Sequence, residues 1–242
     1  MHNPLEPTII AENESLVAVN KPSGMLSIPD RFDSEIPSLK KYLKKLYGEI
    51  FVVHRLDRDT SGLILFAKDE ATHRHYSIAF EERKITKKYL GIIHGSPIQS
   101  TGTIDKPIAH HHTQKGKMMV HKSGKPSVTH YKVMQSFGLY SLVEFQIDTG
   151  RTHQIRVHMQ ELGHPIVCDE LYGNNEPILL SRIKRKFKLS KNQEEENPLL
   201  NRLALHAHSL DFTAPEGREI HLEAPLFRDM QATITQLKKN LK

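Results

Sequence analysis

The chain holds one cysteine, Cys168, in 242 residues, so neither an internal disulfide nor a zinc site built from cysteines is open to it. A reducing cytoplasm is the expected compartment. Long apolar runs are missing as well. Stretches such as Ile50–Val53 and Gly62–Ala67 fall far short of the roughly 18 residues that a membrane span needs, and Met1–Pro7 lacks the basic-then-apolar layout of a secretory signal. No Walker A loop, dinucleotide-binding glycine fingerprint or HExxH pair occurs, which leaves no sign of ATP, NAD or catalytic zinc. There is no internal repeat and no long low-complexity linker.

What is present is ordinary for a globular chain: 38% hydrophobic and 26% charged residues, enough apolar surface for a core and too much for a disordered segment. Length alone allows one large domain or two small ones, at roughly 150 residues per domain. Thirty-four Lys and Arg against 28 Asp and Glu leave a net charge of +6, and sixteen histidines can add to it beside phosphate. That balance points to a polyanionic partner.

Apolar and polar residues alternate over Thr8–Asn20 on either side of Glu12-Asn13-Glu14, which predicts a hairpin leading into a turn at Pro22-Ser23-Gly24. Leu39, Tyr42, Leu43, Leu46 and Tyr47 recur at helical spacing after Ser38 and before Gly48, an amphipathic helix with its cap and its stop. Ile50–Val53 and Leu63–Ala67 read as strands enclosing a polar loop, and Asp69 is placed to cap a helix reaching about Arg83. Strands are expected at Lys88–His94, Val128–Gln135 and Leu139–Ile147, and a helix at about Thr152–Leu162 stopped by Gly163. Neighbouring strands with short connections favour antiparallel pairing and an α+β fold over a doubly wound one. Pro107–Ser127, rich in histidine, lysine and glycine, is expected as an exposed loop or ribbon, and Ile183–Lys191 as a basic, solvated insertion.

Two constellations could carry chemistry. His54-Arg55-Leu56-Asp57-Arg58-Asp59-Thr60-Ser61-Gly62 packs two carboxylates and two guanidiniums into nine residues. Alternation along an extended segment sends Arg55 and Asp57 to one side and Leu56 to the other, and a carboxylate held near arginine stays ionised, able to act as nucleophile or base. A capped loop with surface ion pairs is the plainer alternative. In Gly150–Met159 a helix would put Thr152 with Arg156, and Gln154 with His158, on shared faces, and its start beside Arg151 could equally serve as a phosphate site. The run His110-His111-His112 is a poor zinc site, because consecutive side chains point in different directions. Cys168 has no activating neighbour in sequence and reads as buried.

Together these residues resemble RNA pseudouridine synthases of the RluA type. His54–Gly62 is similar to the family's HRLDxxTSG motif, Lys87–Tyr89 to KxY, Gly150–His158 to GRTHQIRVH and Leu205–Ala207 to LHA, while Asn20–Gly24 and Gly163–Gly173 resemble its NKPSG and GHPI…D…YG segments. The matches run in order from about residue 16 to 226. The resemblance implies a single pseudouridine-synthase-like α+β domain over residues 1–242, with a mixed, mostly antiparallel sheet and flanking helices. No S4 domain is expected, since the family core begins within about fifteen residues of Met1.

The implied reaction breaks the N1–C1′ bond of uridine, turns the uracil and joins C5 to C1′. It needs no redox step, so no cofactor and no metal are expected. Asp57 aligns with the essential aspartate, acting through a covalent adduct or through proton abstraction from the sugar. Arg156 is implied to pair with Asp57, where breaking a buried pair costs about 3–5 kcal/mol. Tyr89 would offer its ring to the base, Leu205 an apolar wall, and Arg55 a planar cation to fill the space of the flipped-out nucleotide. Arg151 and His153, with the ribbon residues Lys115, Lys117, Lys122 and Lys125, are expected on the RNA. The expected partner is structured RNA, ribosomal or transfer, met by a monomer with no membrane attachment. A non-catalytic RNA-binding or assembly protein is the alternative reading, and a nucleoside-cleaving hydrolase using Asp59 as its second carboxylate is a third.

Overall fold

The computed structural model describes residues 6–33, 35–184, 186–189 and 194–241. Along the chain these form β1 (Thr8–Glu12), β2 (Leu16–Lys21), α1 (Leu39–Tyr47), β3 (Phe51–Val52), β4 (Ser61–Ala67), α2 (Glu70–Glu81), β5 (Thr86–His94), β6 (Thr101–Asp105), β7 (Ile108–His110), β8 (Met118–Val120), β9 (Val128–Ser136), β10 (Tyr140–Ile147), α3 (Gln154–Glu161), α4 (Leu180–Ile183), β11 (Leu205–Thr213), β12 (Glu219–Glu223) and α5 (Arg228–Lys239). They divide into two compact units. The first holds the chain up to Tyr89, Gln146–Asp148 and Leu205–Pro225; the second holds Leu90–Phe145, Thr149–Ala204 and Leu226–Lys242.

In the first unit the strand order is β1-β2-β4-β11, with β3 on β4 and β12 on β11. β11 runs parallel to β4, while β1–β2, β2–β4, β3–β4 and β11–β12 are antiparallel. The sheet is therefore mixed and mostly antiparallel, with helices beside it, and the fold is α+β. Every residue of β2 and β4 is buried. Alternation explains how: Leu16, Ala18, Leu63 and Leu65 join Tyr76 of α2 in one cluster, while Val17, Val19, Ile64 and Phe66 join Leu39 and Leu43 of α1 in another. A strand covered on both faces reads as a continuous apolar run.

Local signals set the ends of these elements. The Asn13 side chain accepts from the backbone N–H of Ser15 and Leu16 at 3.0 and 2.7 Å and closes the first hairpin. Ser38 caps α1 and Asp69 caps α2, each accepting from the N–H three residues on. Of the five apolar residues expected on one face of α1, only Leu39 and Leu43 are buried, and Tyr42 and Leu46 face solvent.

In the second unit β10-β9-β6 follow one another, β9 pairs antiparallel with β6, and β7 with β8 forms a separate ribbon within Pro107–Ser127. The helix expected from Thr152 begins at Gln154, because His153 takes the left-handed conformation at φ 56° and turns the chain before helical bonding starts. Thr152 lies outside the helix and does not share a helical face with Arg156. Gln154 and His158 do share one, and it points inward: Gln154 Nε2 donates to Val128 O and Thr129 Oγ1, and His158 contacts Thr129 Oγ1 and Lys106 O at 2.9 Å. Within the basic run Ile183–Lys191, residues 185, 190 and 191 lie outside the described residues.

Gly62 is where β4 and β11 come closest. Its φ is +116°, and a Cβ there would stand 2.2 Å from Ala207 O. Gly62→Ala is expected to destabilise the protein by about 3–5 kcal/mol, strain and overpacking together, as read by urea unfolding. Gly138, at φ +82° with nothing near its missing Cβ, supplies the comparison: Gly138→Ala carries only the backbone strain, about 1 kcal/mol.

His54 gives a pH dependence. Its ring stacks on Phe80 at 4.3 Å and its Nε2 accepts from Leu65 N–H at 3.0 Å. Burial first, and the Lys87 charge second, push its pKa down to about 3. The unfolded chain therefore binds this proton and the folded one does not between about pH 6.5 and 3, so the stability from the neutral ring is complete above that window and erodes as pH falls through it. His54→Gln is expected to flatten the fall in stability between pH 6.5 and 4 by up to about 1.4 kcal/mol per pH unit, measured as urea midpoints across that range.

Candidate active site

The polar loop between β3 and β4 carries Asp57 half-buried, with Leu56 buried and Arg55 exposed. A second loop, Lys21–Ser27, holds it in place. The fully buried Lys21 ammonium donates to Pro22 O, Met25 O and Arg58 O at 3.0, 2.8 and 2.9 Å. Three carbonyl dipoles around one cation offset much of the loss of hydration. Gly24 N–H adds a bond to Arg58 O, the Arg58 Nε–H returns one to Gly24 O, and Ser23 Oγ donates to Asp59 O at 2.6 Å. Ser27 Oγ donates to Leu56 O and accepts from Leu56 N–H.

On the far side of Asp57 the loop enters β4 beside β11. Ser61 faces His206 and Gly62 faces Ala207 in parallel register. Ser61 Oγ lies 3.0 Å from His206 Nδ1, while His206 Nε2 lies 3.1 Å from Ala224 O. This register joins the TSG and LHA segments, and Leu205 is buried at the first position of β11. Tyr89, in β5, packs on the cluster that contains Leu56 and Ala207. Burial above all, and the Asp57 charge next, push the pKa of its hydroxyl above the ordinary phenol value, so at neutral pH it is a protonated ring that can donate or accept a hydrogen bond. Beside it in sequence, Lys87 is buried and its pKa is lowered by that burial, against the opposing pull of Asp148.

The second unit holds the other expected residues. Arg156 is buried and binds Asp169 through two parallel bonds, Nε to Oδ2 at 2.7 Å and Nη2 to Oδ1 at 2.8 Å. Its guanidinium also lies 5.0 Å from the centre of the Tyr172 ring. Asp169 Oδ1 accepts in addition from the N–H groups of Leu171 and Tyr172. The Tyr172 hydroxyl accepts from Met118 N–H at 2.8 Å and contacts His153 Nδ1 at 2.9 Å. Arg151 donates to Pro126 O at 3.3 Å, and its N–H is taken by Gln154 Oε1. Lys115, Lys122 and Lys125 are exposed on the ribbon, whereas Lys117 is half-buried and lies over the Tyr172 ring at 5.5 Å.

Asp57, Arg55, Tyr89 and Leu205 thus belong to the first unit, and Arg151, His153, Arg156 and the ribbon lysines to the second. The residues that sequence reasoning passed over are supporting ones. Lys21, Ser23 and Ser27 hold the Asp57 loop, and Asp169 and Tyr172 hold Arg156. Lys21 and Ser23 lie in the NKPSG segment and Asp169 and Tyr172 in the GHPI…D…YG segment, whereas Ser27 lies three residues beyond Gly24, outside both. Among the described residues no group of three or more His, Cys, Asp or Glu is placed to hold a metal ion, and no described helix is long and apolar enough to cross a membrane.

The chain is similar to known proteins over most of its length. It is 35% identical over 240 aligned residues to ribosomal large subunit pseudouridine synthase D of Buchnera aphidicola, spanning 95% of this chain and 73% of that one. It is 35% identical to an uncharacterized RNA pseudouridine synthase of Bacillus subtilis, spanning 98% and 75%. Among solved structures it resembles human RNA pseudouridylate synthase domain containing 4, with a TM-score of 0.72, 27% identity and coverage of 95% of this chain and 92% of that one. Residues 15–161, which hold Asp57, Tyr89 and Arg156, match the RNA pseudouridylate synthase family, and with that match the chain belongs to this family of isomerases.

Proposed function

We propose that the protein converts specific uridines of structured ribosomal or transfer RNA to pseudouridine, with Asp57 as the carboxylate that acts at the sugar or the base. The observation that carries this reading is the fixed presentation of Asp57: its neighbours on both sides are clamped by Lys21–Ser27. Large-subunit ribosomal RNA is the first substrate to try, because relatives that share a third of the sequence carry that substrate in their names. Residues 1–242 act together as one catalytic domain, supported by a family match that runs through residues of both units, and the protein works as a cytoplasmic monomer.

In this reading the bond from N1 to C1′ breaks, the uracil turns, C5 bonds to C1′, and the proton lost from C5 is balanced by one gained at N1. Nothing is oxidised or reduced. The Asp57 carboxylate either bonds to the sugar or removes a sugar proton. Tyr89 stacks on the base as a neutral phenol, Leu205 forms an apolar wall, Arg55 fills the space of the extruded nucleotide, and Arg156 supplies a supporting positive charge. The bidentate bond to Asp169 fixes the plane of that guanidinium before RNA arrives, which is the kind of preorganisation that lowers the cost of positioning. Arg151, His153 and the four ribbon lysines bind RNA.

Purified protein without added nucleotide or metal is expected to release tritium from RNA labelled at C5 of uridine. Asp57→Asn, which keeps size and removes charge, is expected to lower the single-turnover rate by about 10²–10⁴-fold at unchanged RNA affinity. Undiminished release by Asp57→Asn would sink the assignment.

The ribbon is tested separately. Replacing Lys115, Lys117, Lys122 and Lys125 together by alanine should reduce the slope of log K against log salt by roughly 0.7–0.9 for each phosphate that is no longer neutralised. A slope equal to the parent's in a filter-binding titration would make the ribbon a bystander.

A further inference from the structure

The bonds that hold the Asp57 loop fall into two groups. Lys21, Ser23 and Gly24 act on the carbonyls of Arg58 and Asp59, after Asp57. Ser27 acts before it, and its hydroxyl does so twice, donating to Leu56 O at 2.8 Å and accepting from Leu56 N–H at 3.1 Å. Leu56 O belongs to the same rigid peptide plane as the Asp57 nitrogen, so this hydroxyl fixes the plane from which the Asp57 side chain departs.

Ser27 is itself anchored. It is buried at 3% exposure, and two of the N–H groups that a helix start leaves without helical partners are turned onto its stretch: Leu39 N–H bonds Leu26 O at 2.7 Å, and Lys40 N–H bonds Ser27 O at 3.1 Å. Leu26 also bridges to Ser38, the cap of α1. The backbone of the helix start therefore anchors Ser27, and Ser27 in turn holds the residue that precedes Asp57, while the Ser38 hydroxyl accepts from Lys41 N–H instead. Nothing in the chemistry of the reaction calls for a serine here. The geometry calls for a small side chain that can donate and accept at once.

We propose that Ser27 is a positioning residue for the isomerisation, holding the Leu56–Asp57 peptide so that the carboxylate meets its target at the angle the reaction needs. This rests on the reading of Asp57 as the reacting carboxylate. A displacement of about 1 Å at a reacting group can slow a reaction about 10²-fold, and loss of both Leu56 bonds frees the loop on that side.

The test compares Ser27→Ala with Ser38→Ala. Each removes one buried hydroxyl from the same stretch, and each should lower the melting temperature, but the Ser38 hydroxyl caps α1 at Lys41 N–H and not the peptide before Asp57. Single-turnover rates at saturating enzyme are measured on RNA labelled at C5 of uridine, at a temperature where circular dichroism shows every variant folded. Ser27→Ala is expected to slow turnover about 10- to 100-fold with unchanged RNA affinity, and Ser38→Ala to keep the parent rate. If Ser27→Ala does not fold, Ser27→Cys takes its place, keeping the volume but hydrogen-bonding weakly, with a loss of at least several-fold expected. A parent-like rate in the folded Ser27 variant, or an equal fractional loss in Ser38→Ala, overturns the positioning role. Asp57→Asn in the same assay separates the two readings. If it is inactive while the Ser27 variant turns over at the parent rate, only the positioning role falls; if it stays active, the assignment of Asp57 falls.

Discussion

The buried ammonium of Lys21 is the constraint around which the first unit is arranged. A cation removed from water must be surrounded by acceptors, and the acceptors it finds are backbone carbonyls of two loops, Pro22 and Met25 from its own and Arg58 from the loop of Asp57. Those carbonyls cannot turn away without leaving the charge unsolvated. The consequence reaches the site: the loop that carries Asp57 is held through its backbone carbonyls at Leu56, Arg58 and Asp59. A surface ion pair could not do this, because water would compete for both partners.

The second constraint is steric. β4 and β11 approach so closely at Gly62 and Ala207 that no side chain fits at position 62, and the close approach lets Ser61 and His206 meet inside the sheet. His206 is fully buried with both ring nitrogens occupied, which marks it as a structural polar group. The TSG and LHA segments are thus two halves of one parallel pairing, and this explains their presence in the same chain without giving either a catalytic task.

In the second unit the same economy appears around Arg156. Its guanidinium is held flat by Asp169, and Asp169 is in turn oriented by the N–H groups of its own turn. Tyr172 ties that turn to His153 and to the first residue of β8. Of the motif around Arg156, Gln154 and His158 face inward and saturate the polar atoms of Val128, Thr129 and Lys106. A motif rich in polar residues is here as much a set of buried hydrogen bonds as a site.

Much of this is legible in the sequence. The hairpin around Asn13, the caps at Ser38 and Asp69 and the stops at Gly48 and Gly163 follow from contacts between residues a few positions apart, so sequence periodicity and cap chemistry determine them, and the apolar run of β4 marks it as a strand. Asp57 stands out by its charged neighbours, whereas Tyr89, Arg156 and Leu205 take their expected roles from the resemblance to the family's motifs. Which groups hold them was decided elsewhere. Lys21 meets Arg58 across 37 positions, Ser27 meets Leu56 across 29, and Ser61 meets His206 across 145. The start of α3 moved from Thr152 to Gln154 because one histidine adopts a left-handed backbone, and that choice is imposed by its surroundings against the intrinsic preference of the residue. A hydrogen bond between distant residues depends on which strands lie side by side and in what register, and register is a property of the whole packed sheet. The sequence by itself therefore determined the elements and offered the candidate residues, and the tertiary structure alone decided what keeps those residues in place.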